Sequence, residues 1–478
     1  MLFGCADTTP SPQDTDDGDD TSGTTDASTT GSTSSPVETS SADETSADEG
    51  STGGDATQDP YVVGSRLEPI LHRNADGDEI LAAWHDPELG VDCSFAQTAG
   101  GSACVPSTSW SEGFADADCI TPAGYWSGCG DIPEYARTSF ATCGPVGVHR
   151  RGAPLAQVYR RDANGFCVEQ MDVEGFEIEP VDDTALVTAS RSVQAADEQL
   201  GYWRYVADDG SAESSGPIRL EDEQTCEPVR FGDDAACLAN ESVAVTAGFL
   251  HQDAACSGDD VAYGTVSDGC RPPEFARDFE GNRRTVTEAL DVANVWFGSG
   301  PEGCTPLSEV GVSYEVYAHQ PFQLGDAPSL DLQAIGEGRL QLQQPVSADG
   351  SNIGRPHYLW LDTELGFECG RIDDTNGEQR CAPYRFATTS HYEDPACEQP
   401  LLSEAEATAG TWRTVVDYSG SCERHLRGVA EVGDLYEGTA YRRTSEGGCE
   451  EAPAPSFELR TLDVRPPSEL AVLEEVRP

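Results

Sequence analysis

The sequence lacks several features that identify common classes of protein. It contains no lysine, so all 28 basic residues are arginine, and they are opposed by 86 acidic residues, for a net charge of −58. A chain this acidic has no basic face to release the counterions of a nucleic acid, which excludes nucleic-acid binding. No run of about 18 apolar residues is present, so no membrane-spanning helix is predicted.

Signatures of catalysis are also missing. There is no Gly-x-Ser-x-Gly pentapeptide of a serine hydrolase, and without lysine neither a phosphate-binding loop nor Schiff-base chemistry is available. The 17 cysteines form no Cys-x-x-Cys pair and the eight histidines no His-x-x-x-His pair, so a zinc site is not predicted. Paired carboxylates could hydrolyse glycosides, but among 86 acids such pairs occur throughout the chain.

The first sixty residues divide into a short start and a polar tether. Residues 6–60 contain 14 acidic residues, 23 serines or threonines and no arginine. Such a segment cannot bury enough apolar surface to offset its chain entropy, so we expect a disordered, extended tether. Residues 1–5, which end in Leu2-Phe3-Gly4-Cys5, resemble the remnant of a bacterial lipoprotein signal. The resemblance implies lipidation of Cys5 and a natural start upstream.

An internal repeat is the strongest signal in the chain. Residues 66–106 match residues 339–383 at Arg-Leu, Ala-Asp-Gly, an aromatic residue with Asp, Glu-Leu-Gly and two cysteines 11 or 12 residues apart. A degenerate middle copy begins at Arg191. We therefore divide the folded region into repeat 1 (61–188), repeat 2 (189–328) and repeat 3 (329–478). In five of the six half-repeats a tryptophan or tyrosine precedes a cysteine by eight or nine positions.

Each half-repeat reads as short strands, which predicts an all-β fold. The segments 66–73 and 79–86 flank Asp76-Gly77, and the segments 91–97 and 102–105 flank Gly100-Gly101, both with the chemistry of hairpin turns. Six half-repeats of about four strands each favour a six-bladed β-propeller. The alternative is three separate, disulfide-stapled β domains in tandem.

Sixteen cysteines follow Cys5, and their even number favours disulfides formed in an oxidising compartment. Spacing within the repeats predicts pairs across neighbouring strands: Cys93–Cys104, Cys226–Cys237 and Cys369–Cys381. It also predicts pairs that close longer loops: Cys119–Cys129, Cys256–Cys270, Cys397–Cys422 and Cys143–Cys167. Cys304 and Cys449 are left over, and we expect them to be unpaired or to pair across repeats.

Two acidic patterns suit either ligand binding or structure. Oxygen ligands alternate as in a calcium loop at Asn74, Asp76, Asp78 and Glu79. The same residues suit a tight hairpin turn, which is the interpretation we favour, so no cofactor is required. In each repeat an acid also stands three residues before a cysteine, as Asp116, Asp253 and Asp394. We expect these side chains to cap the turns that lead to the disulfides.

The run GSRL…DGDE…AWHDPELGVDCSF…CVP, behind Cys5 and an acidic tether, resembles a group of uncharacterised myxobacterial lipoproteins with repeated Cys-rich domains. The resemblance covers most of residues 61–478 and is specific in repeats 1 and 3. It brings no known activity, and it implies lipid attachment at the cell envelope, on the outer membrane or the extracellular face.

From these features we expect a non-enzymatic binding or structural protein of the cell surface, with a protein or glycan partner. The alternative is a secreted hydrolase or lyase that uses carboxylates on a propeller scaffold. An enzyme should show polar residues peculiar to one repeat that converge at one place, whereas a scaffold should show only the repeated residues.

Overall fold

Short strands and tight turns follow one another through the described part of the computed structural model, as the hairpin signals predict. Cys5, the expected tether and four further cysteines (Cys129, Cys143, Cys270 and Cys422) lie outside the described residues. The structure describes residues 61–477 except 127–130, 139–144, 162–165, 172, 232–233, 240–242, 257–259, 265–272, 278–282, 299–303, 308–314, 375, 384, 388, 404–408, 420–422, 444–447 and 453–458. In this part of the chain no helix is long and apolar enough to cross a membrane.

The strands are numbered along the chain. Repeat 1 contains β1 (Tyr61–Val62), β2 (Glu68–Arg73), β3 (Glu79–Asp86), β4 (Val91–Thr98), β5 (Gly101–Pro106), β6 (Ser111–Phe114), β7 (Pro122–Trp126), β8 (Tyr135–Thr138), β9 (Gly147–Leu155), β10 (Tyr159–Arg161), β11 (Cys167–Glu169) and β12 (Glu174–Pro180). Repeat 2 contains β13 (Thr188–Ala195), β14 (Leu200–Ala207), β15 (Ala212–Arg219), β16 (Cys226–Phe231), β17 (Asp234–Ala239), β18 (Val243–His251), β19 (Asp260–Gly264), β20 (Phe275–Arg277), β21 (Arg283–Leu290), β22 (Trp296–Phe297), β23 (Thr305–Pro306) and β24 (Glu315–Pro321).

Repeat 3 contains β25 (Ser329–Ile335), β26 (Leu340–Val346), β27 (His357–Asp362), β28 (Phe367–Asp373), β29 (Gln379–Ala382), β30 (His391–Tyr392), β31 (Pro400–Leu401), β32 (Trp412–Ser419), β33 (Glu423–Leu435), β34 (Tyr441–Arg443), β35 (Cys449–Glu451), β36 (Arg460–Arg465) and β37 (Glu474–Val476). Single 3₁₀ turns lie at Asp183–Ala185, Val292–Asn294, Leu324–Asp326 and Pro467–Glu469. The two hairpins predicted in repeat 1 are confirmed, because β2 pairs with β3 and β4 pairs with β5.

The first half of every repeat is an antiparallel unit of five strands. In repeat 3 the unit is β25 to β29, and in repeat 2 it is β13 to β17; each is entered through a 3₁₀ turn. In repeat 2, β15 and β16 lie in different sheets and are joined by the isolated bridge between Ile218 and Thr225. Repeat 1 supplies only β2 to β5, and its fifth strand is β37, which follows the last 3₁₀ turn and pairs with β2. The C-terminal strand therefore completes the N-terminal unit.

The three five-stranded units are joined to one another by backbone hydrogen bonds. In each unit the N–H of the last strand's cysteine donates, at 2.9 Å, to the segment that begins the next unit: Cys104 to Val187, Cys237 to Pro328 and Cys381 to Ala471. Strand β5 pairs with β13 and β17 with β25, and a bridge between Arg380 and Val472 joins β29 to the segment before β37. The ladder thus returns to β2, so the described residues form one compact unit.

The six-bladed propeller is wrong for the described residues. They form sheets of nine, seven, seven, seven, four and three strands, not six four-stranded blades. The second halves build the smaller sheets, such as β11-β10-β6-β7-β12-β9-β8 in repeat 1. The all-β class and the alternative of disulfide-stapled β units fit. In a propeller each blade is a separate sheet. Here the edge strands of neighbouring first halves pair with each other across the repeat boundaries, so fewer strand edges are exposed.

Six disulfides lie within the described part of the chain. The three predicted strand pairs, Cys93–Cys104, Cys226–Cys237 and Cys369–Cys381, are confirmed. The other three bonds correct the prediction, because they are Cys119–Cys167, Cys256–Cys304 and Cys397–Cys449. The loop pairs Cys119–Cys129, Cys256–Cys270, Cys397–Cys422 and Cys143–Cys167 are therefore wrong, and Cys304 and Cys449 are neither unpaired nor cross-linked between repeats.

The three disulfides that differ from the prediction share a local backbone conformation. Their first cysteines, Cys119, Cys256 and Cys397, all adopt left-handed backbone conformations, with φ of 51°, 47° and 54°. The acid three residues earlier holds this turn: Asp116 accepts hydrogen bonds from the N–H groups of Ile120 (3.1 Å) and Thr121 (2.6 Å). Asp394 accepts equivalent bonds from Glu398 and Gln399. The predicted capping role of these acids is confirmed.

A buried ion pair recurs where the second strand of a unit begins. Arg66 binds Asp86 through two nitrogens at 2.7 and 2.9 Å, and Arg339 binds Asp362 in the same way. Both aspartates are at most 1% exposed. Repeat 2 has Gln199 at the arginine position, so a unit of this fold can form without the ion pair.

We expect Arg339→Met to lower the free energy of unfolding by about 3 kcal/mol, because it leaves the buried carboxylate of Asp362 without its cation. Adding Asp362→Asn should recover part of the loss, since Asn removes the charge and keeps an acceptor for the turn. Urea unfolding measures both. The control is Arg73→Met, whose ion pair with Glu79 is about a third exposed and should cost under ~1 kcal/mol. Equal losses for the two arginines would contradict the prediction.

Asp116→Ala should destabilise the protein at neutral pH, and the difference from wild type should disappear in acid. Backbone N–H groups of Thr121 and Ile120 lower the pKa of Asp116 below its ordinary value of 3.8. Its contribution is therefore complete above pH 3.8 and is lost as the pH falls through the lowered pKa. Urea unfolding at several pH values tests this, with the neighbouring Asp118→Ala as the control. A difference that persists unchanged in strong acid would contradict it.

Candidate ligand cavity

All three repeats contribute residues to one cavity of about 410 Å³. Repeat 1 supplies two residues of β4, repeat 2 supplies residues of β14, β15 and β16, and repeat 3 supplies the loop before β27. The lining residues are Ser94, Phe95, Tyr205, Glu213, Ser215, Gly216, Pro217, Thr225, Cys226, Glu227, Pro228, Arg355 and Pro356. The volume lies within the range of small-molecule sites.

Glu213 departs from the repeat pattern. Each unit has a hairpin glycine with positive φ, and the third residue after that glycine is buried. Repeats 1 and 3 place Ile80 and Ile353 there, and both are at most 5% exposed. Repeat 2 places Glu213 there, at 6% exposure. The same fold therefore accepts an apolar side chain at this position, and only repeat 2 buries a carboxylate.

The hydrogen bond to Glu213 is also peculiar to this junction of repeats. Trp84 Nε1 donates to Glu213 Oε2 at 2.7 Å, within the core between repeats 1 and 2. The equivalent tryptophan of repeat 3, Trp360, packs in one apolar cluster with Ile80 of repeat 1. Trp360 Nε1 is buried and has no hydrogen-bond partner among the described residues. Glu213 thus satisfies a donor that the matching junction leaves unsatisfied.

Opposing influences act on the ionisation of Glu213. Burial raises the pKa of this carboxyl group, while the charge of Arg355, the hydrogen bond from Trp84 and the charge of Arg204 lower it, and the net direction is upward. The guanidinium of Arg355 forms no salt bridge or side-chain hydrogen bond with the described residues. A buried acid and an uncommitted cation therefore face the same space.

The loop that carries Arg355 is pressed tightly against β15. The Arg355 N–H donates to the Ser215 carbonyl oxygen at 3.0 Å. A Cβ on Gly354, whose φ is 75°, would lie 2.1 Å from that oxygen, so only glycine permits this approach. The contact fixes a residue of repeat 3 over a cavity that repeats 1 and 2 otherwise enclose.

Two aromatic rings form one wall of the cavity. The rings of Phe95 and Tyr205 are stacked, with centroids 5.5 Å apart and an interplanar angle of 10°. Burial raises the pKa of Tyr205, which keeps the phenol neutral. At the matching junction of repeats 3 and 1, Arg371 and His72 occupy these positions, 3.3 Å apart. The aromatic pair is therefore a second feature found only at this junction.

A second cavity, of about 500 Å³, is less suited to a ligand. It lies where repeat 2 lacks the Arg–Asp pair, and Arg219 is its one cation within the described lining. Arg219 already binds Asp222 and Glu274. Because its guanidinium is neutralised by these partners and the other charged lining residues (Glu198, Glu221 and Asp326) are acidic, this cavity offers charge of one sign only, despite its larger volume.

The candidate calcium residues serve the first hairpin turn. Asn74 is buried, and its Oδ1 accepts hydrogen bonds from the N–H groups of Asp76 and Asp78 at 3.0 and 2.9 Å. Its Nδ2 donates to the Leu340 carbonyl oxygen of repeat 3. Glu79 binds Arg73. Among the described residues no group of three or more His, Cys, Asp or Glu side chains could hold a metal ion.

Neither Glu213 nor Arg355 was singled out from the sequence. The usable signal was a break in the repeat, at the third residue after the hairpin glycine, where Ile, Glu and Ile stand in the three copies. Arg355 has no comparable signal, because its loop is longer than the corresponding segments of the other repeats.

We expect Glu213→Gln to stabilise the fold at pH 7 by about 1–3 kcal/mol, because Gln keeps an acceptor for Trp84 and removes a buried charge. The raised pKa of Glu213 means that wild type loses stability as the pH rises above the ordinary value of 4.5. The gain should therefore vanish below that pH. Thermal melts across pH measure it, and a Gln variant less stable than wild type at pH 7 would contradict it.

Comparison with known proteins adds no relatives. No protein-family model, curated protein or solved structure matches this chain. The function is therefore argued from the cavity, the disulfides and the N-terminal sequence.

Proposed function

We propose that this protein is a non-enzymatic lipoprotein of the bacterial cell envelope, anchored through Cys5 and a tether of residues 6–60, that binds a small ligand in the 410 Å³ cavity. Six disulfides among the described residues indicate a compartment outside the cytoplasm. The lipobox-like Leu-Phe-Gly-Cys supports the anchor, and the outer membrane or the extracellular face is the location that it favours.

One observation carries the binding function, namely Glu213 at the place where repeats 1 and 3 bury isoleucine. Burying a carboxylate costs several kcal/mol that its partners rarely repay, and apolar replacements of similar size often stabilise a fold. Ile80 and Ile353 show that this fold accepts the apolar solution. A charge kept at such a position, in a cavity, is a candidate for ligand recognition.

Carboxylate-dependent hydrolysis is the second candidate function, and it is supported by polar residues that are peculiar to one repeat and meet in one cavity, as expected of an enzyme. Glu227 lines the cavity together with Glu213, and burial raises the pKa of Glu213 as it does for a general acid. Binding is favoured because Trp84 Nε1 holds one oxygen of Glu213 and Arg355 lines the same cavity, an arrangement that suits recognition of a charged ligand. Loss of turnover of a glycoside substrate in Glu213→Gln would instead support the hydrolase.

The binding function predicts that filling the cavity abolishes ligand-induced stabilisation. A Cβ on Gly216 would meet no atom within 4 Å, so Gly216→Leu should fill the cavity without backbone strain. The matched control is Gly325→Leu, which fills the second cavity under the same condition. A ligand at 100 times its Kd should stabilise wild type by about 2.7 kcal/mol.

The measurement is a thermal-shift screen of amino acids, short peptides and mono- and oligosaccharides against the three proteins. Compounds that stabilise wild type and Gly325→Leu, but not Gly216→Leu, support binding in this cavity. Stabilisation that persists in Gly216→Leu, or no stabilisation by any compound, would contradict the proposal.

The anchor is tested separately by membrane fractionation and mass spectrometry of the native protein. We expect an acylated Cys5 in the membrane fraction, and release of the Cys5→Ser variant, because several acyl chains are needed for stable attachment. An unmodified Cys5 in a cytosolic fraction would contradict the anchor and leave the cavity experiment unaffected.

A further inference from the structure

We propose that the cavity binds an α-amino acid as a zwitterion, with its ammonium group on Glu213, its carboxylate on Arg355 and its side chain against Phe95 and Tyr205. The ligand assignment rests on the binding function proposed above and names the class of ligand.

Three charged residues line the cavity: Glu213 and Arg355, which are opposite in sign and form no salt bridge with each other within the described residues, and Glu227. One oxygen of Glu213 accepts from Trp84, and the other has no hydrogen-bond partner in the described chain. Two such groups facing one space are matched by a ligand that carries one charge of each sign, because each ligand charge replaces water lost from one protein charge.

The positions of the two groups are fixed before any ligand arrives. Trp84 is fully buried and orients Glu213, while Gly354 and the Ser215 carbonyl oxygen hold the backbone at Arg355. Arg355 can therefore present its planar fork to a carboxylate, for which guanidinium geometry is suited. Preorganised partners lose little conformational entropy on binding.

The remaining lining combines polar residues, among them Glu227, with an apolar part that suits a ligand side chain. The stacked Phe95 and Tyr205 rings are joined by prolines at positions 217, 228 and 356. An aromatic or branched aliphatic side chain would bury its surface there and could add about 0.5–1.5 kcal/mol by ring contact. The volume of about 410 Å³ leaves room for such a side chain beside the charged groups.

Other ligand classes fit less well, on charge alone. A simple cation would be repelled by the positive charge of Arg355, and a simple anion would be repelled by the negative charge of Glu213. A neutral sugar would stack on the rings but would desolvate both charges without neutralising either. The zwitterion is the class that offers a charge of opposite sign to both Glu213 and Arg355.

The probes are L-phenylalanine, N-acetyl-L-phenylalanine, which lacks the ammonium group, and L-phenylalaninamide, which lacks the carboxylate. Calorimetric titration of the full chain should show binding of L-phenylalanine, and each derivative should bind about 10- to 100-fold more weakly, as expected for loss of one charged hydrogen-bonded contact. The dipeptide L-alanyl-L-phenylalanine, which keeps both termini at a greater separation, tests whether a peptide is preferred.

Two variants assign the contacts. Glu213→Gln should weaken L-phenylalanine and L-phenylalaninamide about 10-fold or more and leave the N-acetyl derivative unchanged, because that probe has no ammonium group to lose. Arg355→Gln should weaken binding of L-phenylalanine and N-acetyl-L-phenylalanine and leave L-phenylalaninamide unchanged, because that probe has no carboxylate to lose. A variant that merely disturbed the structure would weaken all three probes equally, and thermal melts confirm that each variant is folded.

Tight binding of the dipeptide would support the zwitterion class with a peptide as its source. Equal affinity for L-phenylalanine and its two derivatives, or equal losses for all probes in either variant, would overturn the assignment. Failure of L-phenylalanine, L-leucine and the dipeptide to bind would also overturn it. If sugars then stabilised wild type but not Gly216→Leu, the binding function would stand and only the ligand class would be wrong.

Discussion

The structure depends on the backbone hydrogen bonds through which its last strand closes the ladder. The segment before β37 bonds to β29, where the Leu473 N–H donates to the Gln379 carbonyl oxygen at 3.0 Å, and β37 itself pairs with β2. Without this segment, β2 and β29 would both be open edges. With it, the three units pair with one another in the same way, and the residues between them can enclose a cavity.

Local features of the chain were predictable from the sequence, and long-range ones were not. The hairpins around Asp76-Gly77 and Gly100-Gly101 and the disulfide Cys93–Cys104 follow from turn chemistry and short spacing. The bond Cys119–Cys167 does not, because 48 residues separate the two cysteines and the nearer Cys129 offers a shorter loop. The propeller was wrong for a similar reason, since counting strands does not reveal which edges pair.

The candidate site shows a different limit of sequence reasoning. Repetition identifies what the fold needs in every copy, so the sequence predicts a structural role for the capping residues Asp116, Asp253 and Asp394. A ligand site that uses one junction requires departures from repetition, and Glu213 is such a departure. It was hidden among 86 acidic residues because the middle repeat is degenerate, and a departure is visible only where the copies are aligned residue by residue. Arg355, on a loop of unique length, required the structure itself.

Closure by β37 has a consequence for the order in which the chain folds. The strand that completes the N-terminal unit is the last of the described strands, so the partners in the β2–β37 pair are separated by some four hundred residues. Contacts so distant along a chain form slowly, because the loop entropy must be lost before the contact is gained. Repeat 1 therefore keeps β2 unpaired on one side until the end of repeat 3 reaches the compartment in which the chain folds. A chain that ends before β37 cannot close its ladder, whichever of its disulfides have already formed.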